Sequence, residues 1–280
     1  IDMVQLTDGD GNHTLDASGY SGETLLTGGN GNDILIGGSG HDTLRGGLGS
    51  DTLTGNRSND VVDGGTGTDT VVESLSTFAG TVNFVIQNNL LVIVQNDPNP
   101  APPDETVTES DVLIGIENAT ITGSGQEDTF DVTGWVTGSL TVNGGAGSDT
   151  LQSTAPGEGT LTLTNTGISF AGTSGTSSAT LAFNSIDVVY LYGSSGDDVI
   201  DASAYSGAAA LIGNEGDDIL KGGLGLNLLD GGDGDDRFVF RPGGVAGADR
   251  DFVAGGDGED TLDFSAFNVA VTINLASFAL

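Results

Sequence analysis

The chain has 280 residues and no cysteine, so neither a disulfide nor a thiolate metal site can form, and nothing about compartment follows from that alone. Bases are scarce: six against 40 acids, a formal net charge of −34, with Lys221 the only lysine. A phosphate backbone needs clustered Lys and Arg, so nucleic acid is not an expected partner. An anionic membrane surface is unsuited for the same reason. Long apolar runs are missing too. The most apolar stretch, FVIQNNLLVIVQ at 84–95, is short and broken by amides, which argues against membrane insertion. No basic-then-apolar leader opens the chain, and the absent initiator methionine reads as an excerpt of a longer protein. Hydrophobic residues make up only 36%, yet that exceeds what a disordered acidic chain carries. Like charges at this density oppose compaction, so a folded state calls for counter-cations at specific places.

What the chain has in quantity is glycine, and it is phased. From Gly28 the sequence divides into five nine-residue units: GGNGNDILI, GGSGHDTLR, GGLGSDTLT, GNRSNDVVD and GGTGTDTVV. Asp33, Asp42, Asp51, Asp60 and Asp69 all stand at position six, and Leu35, Leu44, Leu53, Val62 and Val71 at position eight. Composition alone does not lock residues in phase in this way. A helix is unsuited, because a nine-residue period walks around its axis and glycine penalises it. The alternative is a six-residue turn followed by a three-residue strand. Glycines at positions one, two and four permit tight reversal, and triplets such as Ile34-Leu35-Ile36 surround a central aliphatic with residues that favour strands. That central side chain points inward and its neighbours outward. Successive strands then alternate between two sheets, and 18 residues complete one coil of a flattened parallel solenoid.

Coils rise by about 4.8 Å, one strand spacing, so aspartates 18 apart sit on top of each other. The stacked pairs are Asp33 with Asp51, Asp42 with Asp60 and Asp51 with Asp69. Carboxylates this close repel unless a positive charge lies between them. Turn carbonyls converge on the same edge and complete an all-oxygen cage. Hard oxygen donors without imidazole or thiolate suit calcium, whereas magnesium gives up its water reluctantly.

These units resemble the repeats-in-toxin (RTX) calcium-binding nonapeptide, GGxGxDxUx. The resemblance implies a parallel β-roll with several calcium ions held between same-side turns. Their ligands would be the position-six aspartates and turn carbonyls such as those of Gly29, Gly31, Gly38, Gly40, Gly47 and Gly49. It also implies export unfolded by a type I route and folding in calcium-rich surroundings outside the cell.

A second run starts at Gly193: GSSGDDVID, an irregular stretch, then GNEGDDILK, GGLGLNLLD and GGDGDDRFV. Its position-six residues are Asp198, Asp218, Asn227 and Asp236, with a weaker site expected at the uncharged Asn227. In the first run GNRSND lacks two glycines; Ser58 tolerates a left-handed backbone poorly, so a distorted Asp42–Asp60 site is expected. A larger duplication overlies the small one, because DASGYSGETLLTGGNGNDIL (16–35) aligns without gaps to DASAYSGAAALIGNEGDDIL (201–220). The expected organisation is all-β. A first β-roll covers 1–74 and an irregular β or solenoid region covers 75–192, with a Pro-rich loop at 97–103 and one isolated calcium turn near 144–149, closing on Asp149. A second roll covers 193–240, and a further repeat module starts at 241–280.

Catalytic motifs are absent from the sequence. There is no HExxH, and His13 and His41 read as exposed turn residues; GxSxG and GxxxxGK[ST] are missing too. A lattice of carboxylates on solenoid edges is more simply a cation site than a glycosidase pair. The scattered aromatics Phe78, Phe84, Phe130, Trp135, Phe170, Tyr205, Phe238 and Phe240 read as core rather than a sugar platform. Thr43, Thr52 and Thr70 are too interrupted for an ice- or carbohydrate-binding ladder. The reading is a non-enzymatic, calcium-dependent structural segment of a secreted or cell-surface protein, adhesin-like, with any cell-surface or carbohydrate target unspecified. The alternative is the calcium-binding C-terminal region of a secreted protease, lipase or epimerase.

Overall fold

A computed structural model describes residues 3–87, 89–96, 107–135, 138–173, 179–242 and 251–268. Every regular element among them is a strand, and no helix is long and apolar enough to cross a membrane. The strands form two sheets of thirteen, and the chain alternates between the sheets in its repeat regions. In one sheet Glu23–Asn30, Thr43–Gly49 and Val61–Gly67 run parallel, with Leu26 facing Leu44 and Leu44 facing Val62. In the other, Ile34–Ile36, Thr52–Thr54 and Thr70–Ser74 align Leu35, Leu53 and Val71. The aligned residues are 18 apart, so the expected coil is the coil observed. Each of these six aliphatics is almost completely buried, stacked on its copy in the next coil. This is the parallel β-roll.

Both sheets run across residues 75 and 193, where the composition changes. Val61–Gly67 pairs with Val107–Ile114, Thr70–Ser74 with Asn118–Thr122, and Val188–Tyr192 with Ala208–Glu215. The middle region departs from the plain roll by accepting two antiparallel insertions. Leu90–Asn96 pairs antiparallel with both Thr81–Gln87 and Val107–Ile114. Gly167–Gly172 does the same between Gly159–Thr164 and Thr180–Asn184 in the other sheet. The reason is local: TVNFVIQ and LLVIVQN alternate with period two and are too long for three-residue roll strands. Only two residues separate them, and Asn89 adopts the left-handed φ of +66° that a tight hairpin turn requires. The Pro-rich loop 97–103 lies outside the described residues, as does half of 241–280. Phe252–Asp257 and Thr261–Asp263 nonetheless extend both sheets by one more strand.

The core is one continuous file of apolar side chains between the sheets. Phe84, Phe130, Phe170, Tyr205 and Phe238 are buried in it, and Phe78, Trp135 and Phe240 pack against it, so these eight aromatics form no exposed platform. Phe84 stacks on Phe130 with ring centroids 5.1 Å apart and planes within 4°. Truncating Phe130 to alanine is expected to cost about 3–5 kcal/mol, measured by denaturant unfolding in saturating calcium. A loss below about 1 kcal/mol would show that this stack does not support the roll.

Candidate metal centre

The turns joining the sheets line two opposite edges. One edge carries Asp33, Asp51 and Asp69, then Asp198, Asp218 and Asp236; the other carries Asp42 and Asp60, then Asp149 and Asn227. All ten are buried, an unusual place for so many acids. Their side chains fold back into the turn instead of pointing to solvent.

Each stack is tied from coil to coil. The Asp33 N–H donates to Asp51 Oδ1 (2.7 Å), and the Asp51 N–H donates to Asp69 Oδ1 (2.8 Å). On the opposite edge the Asp42 N–H donates to Asp60 Oδ1 (2.7 Å). In the second run the pattern repeats from Asp198 to Asp218 (2.7 Å) and from Asp218 to Asp236 (2.9 Å). One carboxylate oxygen is thus consumed by the backbone below it. The other, Oδ2, is buried without a partner in Asp33, Asp51, Asp60, Asp69, Asp149, Asp218 and Asp236.

The surrounding glycines explain why this oxygen has room. A side chain at Gly46 would put its Cβ 2.2 Å from Asp51 Oδ2 and 2.6 Å from the Gly64 carbonyl oxygen of the next coil. Position one of the repeat must therefore be bare, because carboxylate and carbonyl crowd the same small space. At position two, Gly29 and Gly47 lie against carbonyl oxygens of the coil below, as do Gly31 and Gly49 at position four. Gly38 and Gly40 face the carbonyls of Tyr20 and Gly22. Among the described residues no group of three or more carboxylate or imidazole side chains is placed to hold a metal ion by itself. A cation here would meet one or two carboxylates and fill its shell from backbone carbonyls, a donor set suited to calcium.

The left-handed backbone that the missing glycines put in doubt at turn 55–60 forms all the same. Asn56 and Ser58 both take left-handed φ, +70° and +82°. Their side chains offset the strain by donating to the coil below, Asn56 Nδ2 to Gly37 O (2.7 Å) and Ser58 Oγ to Ser39 O (3.1 Å). Asn227 keeps its position, but its amide nitrogen donates to Gly225 O (2.9 Å) and Asp251 Oδ1 (2.8 Å). His13, read from the sequence as a variable turn residue, sits directly under Asp33 and donates its N–H to Asp33 Oδ1 (2.8 Å).

Several members of the stacks were missed in the sequence. Asp260 closes GGDGED, a full match to the motif that could have found it, whereas Asp128 closes GSGQED, which keeps only the first glycine and the aspartate in place. Asp111 and Glu117 carry no repeat signal, yet each accepts the N–H that a next-coil aspartate would take, from Asp60 (2.9 Å) and Asp69 (2.8 Å). Asp111, Glu109 and Glu73 gather behind Asp60 where the first inserted strands enter the roll, all buried. Burial first, then the neighbouring acids, pushes Asp60 up to about 8 and Glu109 to about 7. Burial raises Asp111 to about 6 and lifts Glu73 well above the usual range.

The model of the RTX calcium-binding nonapeptide repeat, which spans four copies, matches residues 18–53, 36–71, 141–154, 190–204, 210–243 and 245–268, about half of the chain. The chain belongs to this family. No curated protein matches it closely enough to be called a relative. RTX repeats are structural units that bind calcium, and the matches at 141–154 and 245–268 place repeat turns at Asp149 and Asp260 as well.

Proposed function

We propose that the chain is a calcium-dependent structural segment of a secreted or cell-surface protein, adhesin-like in role, that folds outside the cell and does no chemistry of its own. The observation that carries this reading is the row of buried, partnerless Oδ2 atoms stacked along each edge. Two charged carboxylates about 5 Å apart repel by about 3 kcal/mol at an effective dielectric near 20. A handful of such pairs matches the whole stability of a domain, about 5–15 kcal/mol, so the apo roll is poorly stable while its acids are ionised. Bound calcium supplies the missing positive charge between coils. Asp33, Asp51 and Asp69, with Asp60, Asp149, Asp218 and Asp236, would hold it together with turn carbonyls. Because these sites exist only in the coiled chain, occupancy stabilises the folded form. Extracellular modules bind calcium at roughly 10⁻⁴ to 10⁻³ M, so the chain would stay open in a low-calcium cytosol and coil after export by the type I route that the repeats accompany.

Far-ultraviolet circular dichroism during a calcium titration tests this. The β signal should appear with calcium, and its midpoint should rise more for Asp51→Asn than for Asp69→Asn. Asp51 stands between two other repeat aspartates, whereas above Asp69 the stack passes to Glu117. A full β signal in excess chelator at neutral pH would defeat the reading, and equal midpoints would defeat the stacking.

A further inference from the structure

We propose that the nonapeptide turns of this chain are of two kinds, and that calcium is held only by carboxylates of turns stacked on another such turn or, at Asp33, on the related DGDGNH segment, leaving Asp42, Asp128 and Asp198 metal-free. The inference rests on the calcium reading above and narrows it to particular residues, against the motif, which treats every position-six aspartate alike.

The first kind of turn is closed on itself. Asp42 Oδ1 accepts the N–H (2.7 Å) and hydroxyl (2.8 Å) of Thr24, and its Oδ2 accepts the N–H of Gly38 (2.6 Å). Asp128 takes the Val82 N–H (2.7 Å) on Oδ1 and the Ser124 N–H (2.6 Å) on Oδ2, with the Ser124 hydroxyl bridging both. Asp198 takes the Gly159 N–H (2.7 Å) on Oδ1 and the Ser194 N–H (2.6 Å) and hydroxyl (2.8 Å) on Oδ2. In each, the amide of the turn's second residue aims at the carboxylate, and Gly38, Ser124 and Ser194 stay out of the left-handed region. These three carboxylates have both oxygens satisfied without an ion.

The second kind is open. Its second and fourth residues are both left-handed: Gly47 (+115°) and Gly49 (+130°) at Asp51, Gly145 (+101°) and Gly147 (+122°) at Asp149, Asn214 (+80°) and Gly216 (+113°) at Asp218. The same holds at Asp33, Asp60, Asp69 and Asp236. No turn amide reaches Oδ2 in any of the seven, and these are the turns whose Oδ2 is buried without a partner. Among the turns whose aspartate is buried, backbone conformation and carboxylate satisfaction therefore sort identically; the turn at Asp260 shares the open backbone, Gly256 (+104°) and Gly258 (+132°), with its carboxylate exposed.

The turn beneath decides which kind forms. Turn 37–42 rests on the DASGYS loop, with the Ser39 N–H on Tyr20 O (3.0 Å). Turn 123–128 lies over the loop closed by the Phe78 N–H on Leu75 O, and turn 193–198 lies over residues 155–158. None of those loops is a nonapeptide. Each open turn instead rests on a nonapeptide turn or, for Asp33, on the related DGDGNH segment. Closed turns are floors on which a stack starts, and the charge deficit begins one coil above. Asn227 obeys the rule: its turn rests on the duplicate loop, with the Leu224 N–H on Tyr205 O (2.7 Å), and Gly223 donates back to Asn227 Oδ1 (3.2 Å). It joins the metal-free class.

Native mass spectrometry of the full chain in saturating calcium counts the ions, and the circular dichroism titration gives the midpoint. Asp42→Asn, Asp128→Asn and Asp198→Asn should keep the wild-type ion count, with midpoints within about twofold of wild type. Asp51→Asn and Asp236→Asn should each lose at least one ion and raise the midpoint about fivefold or more. Loss of an ion from any closed-turn variant that folds overturns the proposal, and three independent closed turns guard against one variant misfolding. If the wild type itself binds no calcium, the proposed function falls; if it binds but Asp42→Asn loses an ion as Asp51→Asn does, only this inference falls.

Discussion

In excess chelator at about pH 8 the chain is expected to lose its β signal, and acidifying the same sample to about pH 5 is expected to restore much of it with no metal present. The sign follows from the buried acids. Burial first, and like-charged neighbours second, raises Asp60 to about 8, Asp218 and Glu109 to about 7, and Asp149 to about 6. Burial alone raises Asp111 to about 6. In the unfolded chain these groups titrate near 4. Between about pH 4 and 8 the folded form therefore binds protons that the unfolded form does not, so falling pH favours folding. The stabilisation is complete below the unfolded value and is lost as pH rises through about 6 to 8. Protons and calcium answer the same deficit, so calcium-saturated protein should show a much flatter profile across this range. Equal β content at both pH values in chelator would mean that the buried acids are not what opens the apo chain.

Gly67→Ala is expected to abolish folding even in saturating calcium, while Gly125→Ala leaves the melting temperature almost unchanged. At Gly67 an added Cβ would lie 1.6 Å from the Gly49 carbonyl oxygen of the coil below, and φ is +141°. The obstacle is backbone, held by strand pairing on both sides, so it cannot swing away as a side chain would. Left-handed strain costs about 1–3 kcal/mol before the clash is counted. Together they should exceed about 4 kcal/mol, a large part of a typical domain's stability. Gly125 has no atom within 4 Å of the added carbon and stays out of the left-handed region, so alanine there meets neither cost. Comparable melting curves for the two variants would contradict the close stacking of turns.

The repeat regions were legible because each nine-residue unit carries its own structure: glycines for reversal, an aliphatic for the core and an aspartate for the edge. Leu26 over Leu44 over Val62 follows from the period alone, as does Asp33 under Asp51. Asp260 is equally readable from GGDGED, which carries the full motif. Asp111 and Glu117 were not readable. They belong to inserted or connecting segments, and only pairing with strands some 50 residues earlier brings them over Asp60 and Asp69. Ser58 misled for a related reason, because its intrinsic reluctance to turn left-handed is overcome by a hydrogen bond to Ser39 that only stacking creates.

Local spacing thus established the roll, its two edges and a calcium-suited oxygen lattice, since a period of nine leaves a glycine-rich chain few other ways to bury one aliphatic per unit. The fate of each carboxylate was decided at the tertiary level. Asp42 and Asp51 occupy nearly identical motifs, yet one has both oxygens bound by N–H and hydroxyl donors while the other keeps a bare buried oxygen. The difference lies in the loop beneath each turn, and vertical neighbours in a solenoid are a full coil away along the chain.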